Sequence, residues 1–492
     1  MSLNDLLRAI EIISVGPAYL RGLIGKQIYL GRAAGNTSLF STLSASKLQK
    51  NLPEVERLFM ESTNQLVTGD KITPGGFYTG VWCRDASYIL NELVEMGRNE
   101  AAGRWLEWIW AHGVNGSINV VHGRGSPEMG YRSRVVTGDF RQKFDGLLPS
   151  SIQLGYIEVY GKSPDIDSTA LMISVTCRYC SEATGSTGCD TLIRRVEQAI
   201  TSLQNRDVDG DWLLEQGPNE DWMDTMLRSG RVVYSQAAWG MALLDWSKLL
   251  HKIGRSNDAE KTYEGARDLA KAINQKLWSE QSKSYSDSPE GYDGYRLDSD
   301  RVYAASQSSF SSTSSTNGNA AQTASPNTWL TQDASLFLLM MDSLDSASDG
   351  NNDNNYAGGR NHRSGDLPAE DNDDNDHRAG IFLETLKARS WRGGTGAACL
   401  DPPTSVTGPF KWGPHMYQNG GFWPWISSLE ILARLRYDPS TENTADLLIK
   451  AMRYSFLEWV NPVGTGSGAY PFRTSIAAVR TALRHFSRTA NR

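Results

Sequence analysis

The sequence predicts an all-α fold, a ring of six helical hairpins with long loops and a few short strands on one rim. Apolar residues recur at helical spacing in about twelve segments between residues 46 and 487. These segments come in successive pairs, joined by short turns on one side and by long polar and aromatic loops on the other. Segments with the alternating pattern of a strand are few. Twelve helices in six hairpins can close into a ring around a funnel, and every loop on one rim then faces the same pocket.

The helices are predicted from amphipathic patterns along the chain. A first helix over residues 46–66 is followed by the turn ITPGGFYTG and by a helix that begins near Asp85. Residues 115–140 alternate between apolar and polar positions, which predicts short strands or a loop excursion. The other predicted helices are residues 99–112, a long pattern after Asp167, residues 190–205, 232–252 and 257–278, the segment WLTQDASLFLLMMDSL, residues 379–389, the end of HMYQNGGFWPWISSLEILARLR, residues 441–457 and a last helix before residue 487.

Composition divides the chain into an extension and one large domain. We expect residues 1–45 to form an N-terminal extension that packs on the ring, which itself covers residues 46–492. Residues 305–327 are rich in Ser, Thr, Asn and Ala, and residues 345–379 are rich in Asn, Asp and Gly. Such segments have little to bury, so both are predicted to be polar, solvated insertions.

Composition also excludes several classes of partner. The net charge of −7 is small for 492 residues and no basic stripe is present, so nucleic acid is not an expected partner. The N-terminal apolar run contains charges and is too short to cross a bilayer, so no membrane partner is expected either. Five cysteines are scattered along the chain, which favours buried, reduced thiols and a cytoplasmic protein.

Two patterns resemble metal sites without completing one. Cys177 and Cys180 form a CxxC pair with no second pair nearby. The three aspartates of RDVDGDW (206–212) resemble the start of a calcium loop, but Gly210 stands fourth, whereas an EF-hand loop has its glycine at the sixth position. A turn is the preferred interpretation of this run, and we expect no metal and no organic cofactor.

The stretch GPNEDWMDTMLRSGR (217–231) is the strongest candidate for chemistry. It places Glu220, Asp221 and Asp224 around Trp222, just before a long apolar-periodic segment. Burial beside an indole and repulsion from neighbouring carboxylates both disfavour the charged form, so a carboxyl here can keep its proton near neutral pH. A protonated carboxyl can act as a general acid toward a leaving oxygen. The alternative interpretation is an acidic helix N-terminus around a packed tryptophan.

Aromatic residues stand in several Gly- and Pro-rich loops, where flat apolar faces suit stacking against sugar rings. These residues are Tyr78, Trp82, Trp222, Trp412, Tyr417 and Trp423. Arg84 and the adjacent Asp85 could form a plain ion pair. In a pocket, the same two side chains could instead bind vicinal hydroxyls, with Arg84 donating hydrogen bonds and Asp85 accepting them. Asp167 could bind a hydroxyl in the same way or cap the helix that follows it.

Four segments together resemble the six-hairpin, (α/α)6-toroid glycoside hydrolases. This superfamily includes glucoamylase-like enzymes, the amylo-α-1,6-glucosidase domain of glycogen-debranching enzymes, neutral invertases and the processing-glucosidase and mannosylglycerate hydrolase group. FYTGVWCRD (77–85) is similar to the segment that holds the terminal sugar, and NEDWMDTM (219–226) to the Trp-Met-Asp segment with the general acid. YQNGGFWPW (417–425) is similar to the Asn-Gly-x-x-Trp-Pro loop that lines the pocket. LEWVNPVGTGSGAYPF (457–472) is similar to the segment whose glutamate is the general base.

The resemblance implies an inverting hydrolase of an α-linked glucoside, with residues 46–492 as its catalytic domain. By the motif matches, Asp224 is the general acid and Glu458 the general base. Spacing around the acid differs between branches of the superfamily, so Asp221 or Glu220 could hold that role instead. The sugar-binding residues that the motifs indicate are Tyr78, Trp82, Arg84, Asp85, Asp167, Glu220, Asp221, Trp222, His415, Gln418, Asn419 and Trp423. The expected partner is a small-molecule or oligosaccharide substrate.

Three alternatives remain open on the sequence. One is hydrolysis of a small glucoside such as sucrose, trehalose or glucosylglycerate on the same scaffold. A second is a non-catalytic glycan-binding toroid, which would keep Trp82, Trp423 and the Arg84–Asp85 pair without needing two facing acids. A lyase or cyclase is the third, but it would ordinarily need a Tyr/His pair in the funnel.

Overall fold

The computed structural model describes the chain from residue 40 to residue 490 with gaps. The described residues are 40, 43–68, 71–115, 117–122, 134–139, 144, 146–153, 156–161, 163–183, 189–217, 220–226, 228–288, 329–348, 369–403, 413–438 and 440–490. The predicted insertion at residues 305–327, the middle of the one at residues 345–379 and most of the extension at residues 1–45 lie outside them.

Thirteen helices are present in the described part of the chain. They are α1 (Ala45–Lys50), α2 (Leu52–Thr68), α3 (Cys83–Glu95), α4 (Asn99–Asn115), α5 (Ile166–Glu182), α6 (Cys189–Gln204), α7 (Val233–Lys252), α8 (Ser256–Lys276), α9 (Ser335–Ser348), α10 (Ala369–Ser390), α11 (Pro424–Tyr437), α12 (Thr441–Tyr454) and α13 (Arg473–Ala490).

The helices form the predicted double ring. Helices α3, α5, α7, α9, α11 and α13 each pack against the next, and α13 also packs against α3, which closes an inner ring of six. The even-numbered helices α2 to α12 lie outside, each against an inner helix that adjoins it in the chain. The prediction of six hairpins around a common centre is therefore confirmed.

Burial separates the inner helices from the outer ones. Helix α7 buries 17 of its 20 residues, whereas its outer neighbour α8 buries six of 21, all on one stripe. A helix that is buried all round belongs to a core or to a membrane, and an amphipathic one covers a core. Within the described residues, no helix is both long enough and apolar enough to cross a bilayer. At Gly240 of α7 an added Cβ would lie 2.2 Å from the sulfur of Met340, so α7 and α9 approach closely.

Short strands lie in the loops between the helices. They are β1 (Val81–Trp82), β2 (Ser117–His122), β3 (Arg134–Asp139), β4 (Ser151–Gln153), β5 (Tyr156–Val159), β6 (Trp278–Ser279), β7 (Ser284–Tyr285), β8 (Leu330–Thr331), β9 (Trp391–Arg392), β10 (Gly396–Ala397), β11 (Leu400–Asp401), β12 (Trp459–Val460) and β13 (Gly466–Ser467). The largest sheet has the order β1-β4-β5-β2-β3, with β2 parallel to β5 and the other neighbours antiparallel. The strands expected within residues 115–140 are β2 and β3. Strand β1 leads directly into α3, so the sheet holds the start of an inner helix.

Helix α10 begins ten residues earlier than the predicted helix over residues 379–389. Its first half, AEDNDDND, comes from the segment that we expected to be a solvated loop. This half has almost no apolar residues, so the apolar pattern alone does not reveal it. An ion pair of 3.1 Å between Arg378 and Asp374, four residues apart, adds to the stability of this half.

Candidate active site

The N-terminal ends of the inner helices meet at one rim of the ring. Thr474 at the start of α13 donates a hydrogen bond of 2.6 Å to Asp85 at the start of α3. Asp167 in the first turn of α5 lies 3.4 Å from Arg84 of α3. The indole rings of Trp222, ahead of α7, and Trp423, ahead of α11, are in edge contact at 5.4 Å. The site residues predicted from separate motifs therefore come together at this rim.

Arg84 lies among three carboxylates. Its guanidinium is 3.4 Å from Asp167 and 3.7 Å from both Asp85 and Asp165. These separations exceed those of strong charge-assisted hydrogen bonds, which are about 2.7–2.9 Å, so the guanidinium is loosely held. Asp167 is fully buried, and its Oδ1 has no hydrogen-bond partner in the structure. Burial raises the pKa of Asp167 to about 6, and Arg84 opposes that rise.

Glu220 and Asp221 are both committed to internal ion pairs. Glu220 is fully buried, pairs with Arg206 and accepts a hydrogen bond of 2.8 Å from the Gly217 amide. Asp221 is 2% exposed and accepts a hydrogen bond of 2.7 Å from Nε of Arg228. Both carboxylates thus hold the 217–228 loop together from within.

Asp224 differs from these two acids because it is half-buried and faces no arginine at ion-pair distance among the described residues. Its Oδ1 accepts a hydrogen bond of 3.0 Å from Nε2 of Gln418. Burial raises the pKa of Asp224 to about 6, while the Gln418 hydrogen bond and the charge of Arg84 lower it. The carboxyl therefore titrates close to neutral pH and can donate its proton.

Glu458 lies on the other side of the same loop cluster. It is 2% exposed, and it accepts hydrogen bonds of 2.8 Å from the Tyr78 hydroxyl and 2.5 Å from the Ala469 amide. Burial raises the pKa of Glu458 to about 7, and these two donors oppose the rise. An added Cβ at Gly468, where φ is +84°, would lie 2.2 Å from Glu458 Oε2, so only glycine leaves room for the carboxylate.

Tyr417 and Gln418 connect the two acids. The Tyr417 hydroxyl is 3.4 Å from Glu458 Oε1, and the next residue, Gln418, bonds to Asp224. After burial, the charges of Glu458 and Asp224 are the main causes that raise the pKa of the Tyr417 hydroxyl, so both acids lie close to it. The structure thus brings Asp224 and Glu458 to one place, although they are far apart in sequence.

Aromatic side chains surround these acids. Tyr78 contacts Trp82 edge-on at 5.4 Å, and Trp82 stacks on Tyr160 at 5.3 Å. Trp222 contacts Trp425 at 5.2 Å, besides its contact with Trp423. Trp412, the remaining loop aromatic singled out in the sequence, lies outside the described residues. The described aromatics form apolar walls beside the carboxylates.

Comparison with known proteins bears on the fold. No family model matches the sequence, and no curated protein sequence matches it. Solved structures do match. A glucoamylase from Saccharomycopsis fibuligera has a TM-score of 0.53 at 12% identity, over 90% of this chain and 96% of that one. A mannosylglycerate hydrolase from Thermus thermophilus, in complex with glucose, has a TM-score of 0.51 at 14% identity, over 87% of this chain and 99% of that one.

A glycosidase in complex with glucose has a TM-score of 0.53 at 11% identity, over 89% of this chain and 98% of that one. The chain has the fold of the (α/α)6-toroid glycoside hydrolases. In this toroid the inner helix N-termini carry the candidate site, and the match extends over nearly all of each relative's chain.

Two predicted sugar-binding residues, His415 and Asn419, lie in the loop that precedes α11. The charged neighbours of His415 are Arg392 and Asp401, and burial together with Arg392 lowers its pKa. Asn419 is fully buried within the loop that precedes α11.

Sequence reasoning missed Asp333 and the role of Arg228. Asp333 is fully buried in the turn before α9, where its Oδ2 accepts hydrogen bonds of 2.6 Å from the Trp222 indole and 2.7 Å from Arg228. No local pattern marks Asp333, because its partners are over a hundred residues away. Arg228 had a usable signal, since it lies seven residues from Asp221 in an acid-rich stretch and is 1% exposed.

The run at residues 207–211 forms a turn on the outside of the toroid. Asp207 accepts hydrogen bonds of 2.8 to 3.0 Å from the amides of Gly210, Asp211 and Trp212. Arg231 lies 2.5 Å from both Asp209 and Asp211, and the ammonium of Lys276 lies 2.6 Å from Asp211. These contacts neutralise carboxylates that are otherwise close enough to hold a cation, and they agree with the predicted turn.

Proposed function

We propose that this protein hydrolyses an α-linked glucoside with inversion at the anomeric carbon. Asp224 would give its proton to the glycosidic oxygen as the bond from that oxygen to C1 breaks. Glu458 would take a proton from the water whose oxygen forms the new bond to C1 on the opposite face. Inverting hydrolysis needs a proton-bearing carboxyl and an ionised one about 6.5–9.5 Å apart. The observation that carries the proposal is that the adjacent residues Tyr417 and Gln418 contact the buried Glu458 and the half-buried Asp224, respectively.

The choice of Asp224 as general acid rests on the partners of its neighbours. Glu220 and Asp221 each pair with a buried arginine, so their oxygens are engaged inside the protein and do not face a leaving group. Asp224 has an amide partner instead, and burial raises its pKa to about 6.

The sugar would be held where Arg84 lies among its carboxylates. Its guanidinium is no closer than 3.4 Å to any of the three acids. Its N–H groups can therefore donate hydrogen bonds to the hydroxyl oxygens of a sugar. Oδ1 of Asp167 is buried without a partner and could accept from a hydroxyl. Trp82, Trp222 and Trp423 would supply the apolar walls. No metal or organic cofactor takes part in this scheme.

A small glucoside is the second candidate substrate, because one structural relative is a mannosylglycerate hydrolase in complex with glucose. Release of sugar should be assayed on maltose, isomaltose, sucrose, trehalose, glucosylglycerate and a limit dextrin. NMR of the first product from the active substrate then identifies its anomer. The β-anomer is expected from an α-glucoside, and early release of the α-anomer would contradict inversion. If the protein hydrolyses none of these substrates but binds a glycan, the result would instead favour the non-catalytic glycan-binding toroid.

We also propose a cytoplasmic location for the enzyme. All five cysteines are buried and none of them forms a disulfide, which suits a reducing compartment.

A further inference from the structure

The side chain of Gln418 uses its whole hydrogen-bonding capacity inside the protein. It is 2% exposed. Its Oε1 accepts from the Thr225 amide at 2.9 Å and from the Thr225 hydroxyl at 2.6 Å. Its Nε2 donates to the Trp222 carbonyl and, at 3.0 Å, to Asp224 Oδ1. Since a carboxamide has two N–H donors and two acceptor lone pairs, none of them remains for a substrate.

The orientation of this amide is fixed by its backbone partners. The Thr225 amide can only donate and the Trp222 carbonyl can only accept. Turning the Gln418 amide over would set its NH₂ against the Thr225 N–H and its oxygen against the Trp222 carbonyl. Both contacts would be repulsive in a buried site, where an unsatisfied polar group is costly. Gln418 therefore always presents an N–H group to Asp224.

We propose that Gln418 is a positioning residue for the general acid, directing the proton of Asp224 onto Oδ2 and turning that oxygen toward the leaving group. The inference rests on the proposed role of Asp224. A carboxylic acid carries one proton, and the oxygen that already accepts a hydrogen bond is the less favourable place for it. Oδ1 is held by Gln418, so Oδ2 carries the proton. The same hydrogen bond fixes the rotation of the carboxyl.

The loop that carries Gln418 supports this role. His415 and Tyr417 have φ angles of 65° and 48°, in the left-handed region that non-glycine residues disfavour. Such strain persists where the surrounding structure enforces it, and it clusters at active sites. Here a hydrogen bond of 2.7 Å from the His415 amide to the Asn419 carbonyl closes the loop. The strained backbone places two adjacent side chains, of Tyr417 and Gln418, on the two catalytic acids.

The test compares two leaving groups in Gln418→Leu and in Gln418→Met, which has nearly the length of the original side chain. One substrate is the glycoside identified by the sugar panel, whose leaving oxygen needs a proton. The other is the glycosyl fluoride of the same sugar, whose fluoride leaves with little help from an acid. We expect kcat on the glycoside to fall about 10–100-fold, less than the about 10²–10⁴-fold that general acid–base catalysis typically contributes, and kcat on the fluoride to change less than about threefold.

Gln236→Leu is the matched control. Gln236 is also buried, and its amide makes two hydrogen bonds of 2.8 Å to the backbone of Leu214, away from the acids. This variant should change the two activities by the same factor. An equal loss on both substrates in the Gln418 variants, or no loss on either, would overturn the inference.

Asp224→Asn separates this inference from the proposed function. It should lose turnover of the glycoside and keep turnover of the fluoride. If Asp224→Asn keeps full turnover of the glycoside, the proposed general acid is wrong. If Asp224→Asn behaves as expected and the Gln418 variants lose both activities equally, the function stands and only the role of Gln418 fails.

Discussion

The hydroxyl of Tyr78 donates a hydrogen bond of 2.8 Å to Oε1 of Glu458, although 380 residues separate the two in the chain. Glu458 is 2% exposed, so this donor and the Ala469 amide stand in for the water that a charged carboxylate would otherwise bind. Burial raises the pKa of Glu458 to about 7, and without these donors the pKa would be higher still. The bond from Tyr78 thus helps to keep the proposed base ionised.

Replacing Tyr78 by phenylalanine should therefore weaken the base. Loss of a hydrogen bond to a charged group is typically worth about 1.5–3 kcal/mol, so the pKa of Glu458 should rise by about one unit or more. We expect kcat/KM near neutral pH to fall roughly tenfold. The alkaline limb of the pH profile should move to higher pH, because Glu458 has the higher of the two pKa values and that value sets where the alkaline limb begins. Tyr263→Phe is the control, because the Tyr263 hydroxyl bonds to the Leu344 carbonyl between α8 and α9. An unchanged alkaline limb in Tyr78→Phe would contradict the role assigned to Tyr78.

On the proposed mechanism, the wild-type protein should have a bell-shaped dependence of kcat/KM on pH. Ionised Glu458 becomes rarer as pH falls, and protonated Asp224 becomes rarer as pH rises. With pKa values of about 6 for Asp224 and about 7 for Glu458, the product of these two fractions is greatest between pH 6 and 7. Initial rates at low substrate concentration from pH 4.5 to 9 measure the profile. A rate that keeps rising above pH 8 would exclude a general acid with the pKa of Asp224.

Stability should increase as the pH is lowered from 7.5 to about 5. Burial raises the pKa values of Asp167, Asp224 and Asp287 to about 6 and that of Glu458 to about 7, above their ordinary values of 3.8 and 4.5. The folded state then holds protons that the unfolded chain releases. This stabilisation is complete below the ordinary values and is lost as pH rises through 6 to 7. Each such proton changes the free energy of unfolding by about 1.4 kcal/mol per pH unit.

Denaturant titrations at pH 5.5, 6.5 and 7.5 measure this slope. Glu458→Gln removes one of the titrating groups, so its stability should depend less steeply on pH than that of the wild type. A wild type whose stability rises steadily from pH 5.5 to 7.5 would contradict the raised pKa values.

Three carboxylate-to-amide variants should separate catalysis from structure. Asp224→Asn should stay folded and lose about 10²–10⁴-fold in kcat. Glu220→Gln should remove the carboxylate that pairs with the buried Arg206, and Asp221→Asn should remove one of the carboxylates around the buried Arg228. Breaking a buried ion pair typically costs about 3–5 kcal/mol of stability. Thermal unfolding and kcat, measured on the folded fraction, distinguish the two outcomes. If Glu220→Gln or Asp221→Asn loses kcat without losing stability, the role of general acid would be reassigned to that residue.

The sequence by itself determined the helical ring and the identity of the two candidate acids. Helical spacing of apolar residues is a local property, because each turn of a helix repeats every 3.6 residues whatever it packs against. Residues 232–252 were predicted to form a helix, and α7 is that helix. The motifs around Asp224 and Glu458 are also local, so residue order was enough to single them out.

Only the tertiary structure decided what each carboxylate does. Glu220, Asp221 and Asp224 lie within five residues of one another, and the motif match to Asp224 left the other two open as alternatives. In the structure the first two meet buried arginines and the third meets Gln418, 194 residues away. The pKa of a carboxyl depends on how much water it loses and on which charges surround it. Both quantities are set by distant parts of the chain that closure of the ring brings together, as with Trp222 and Asp333. No local sequence pattern contains that information.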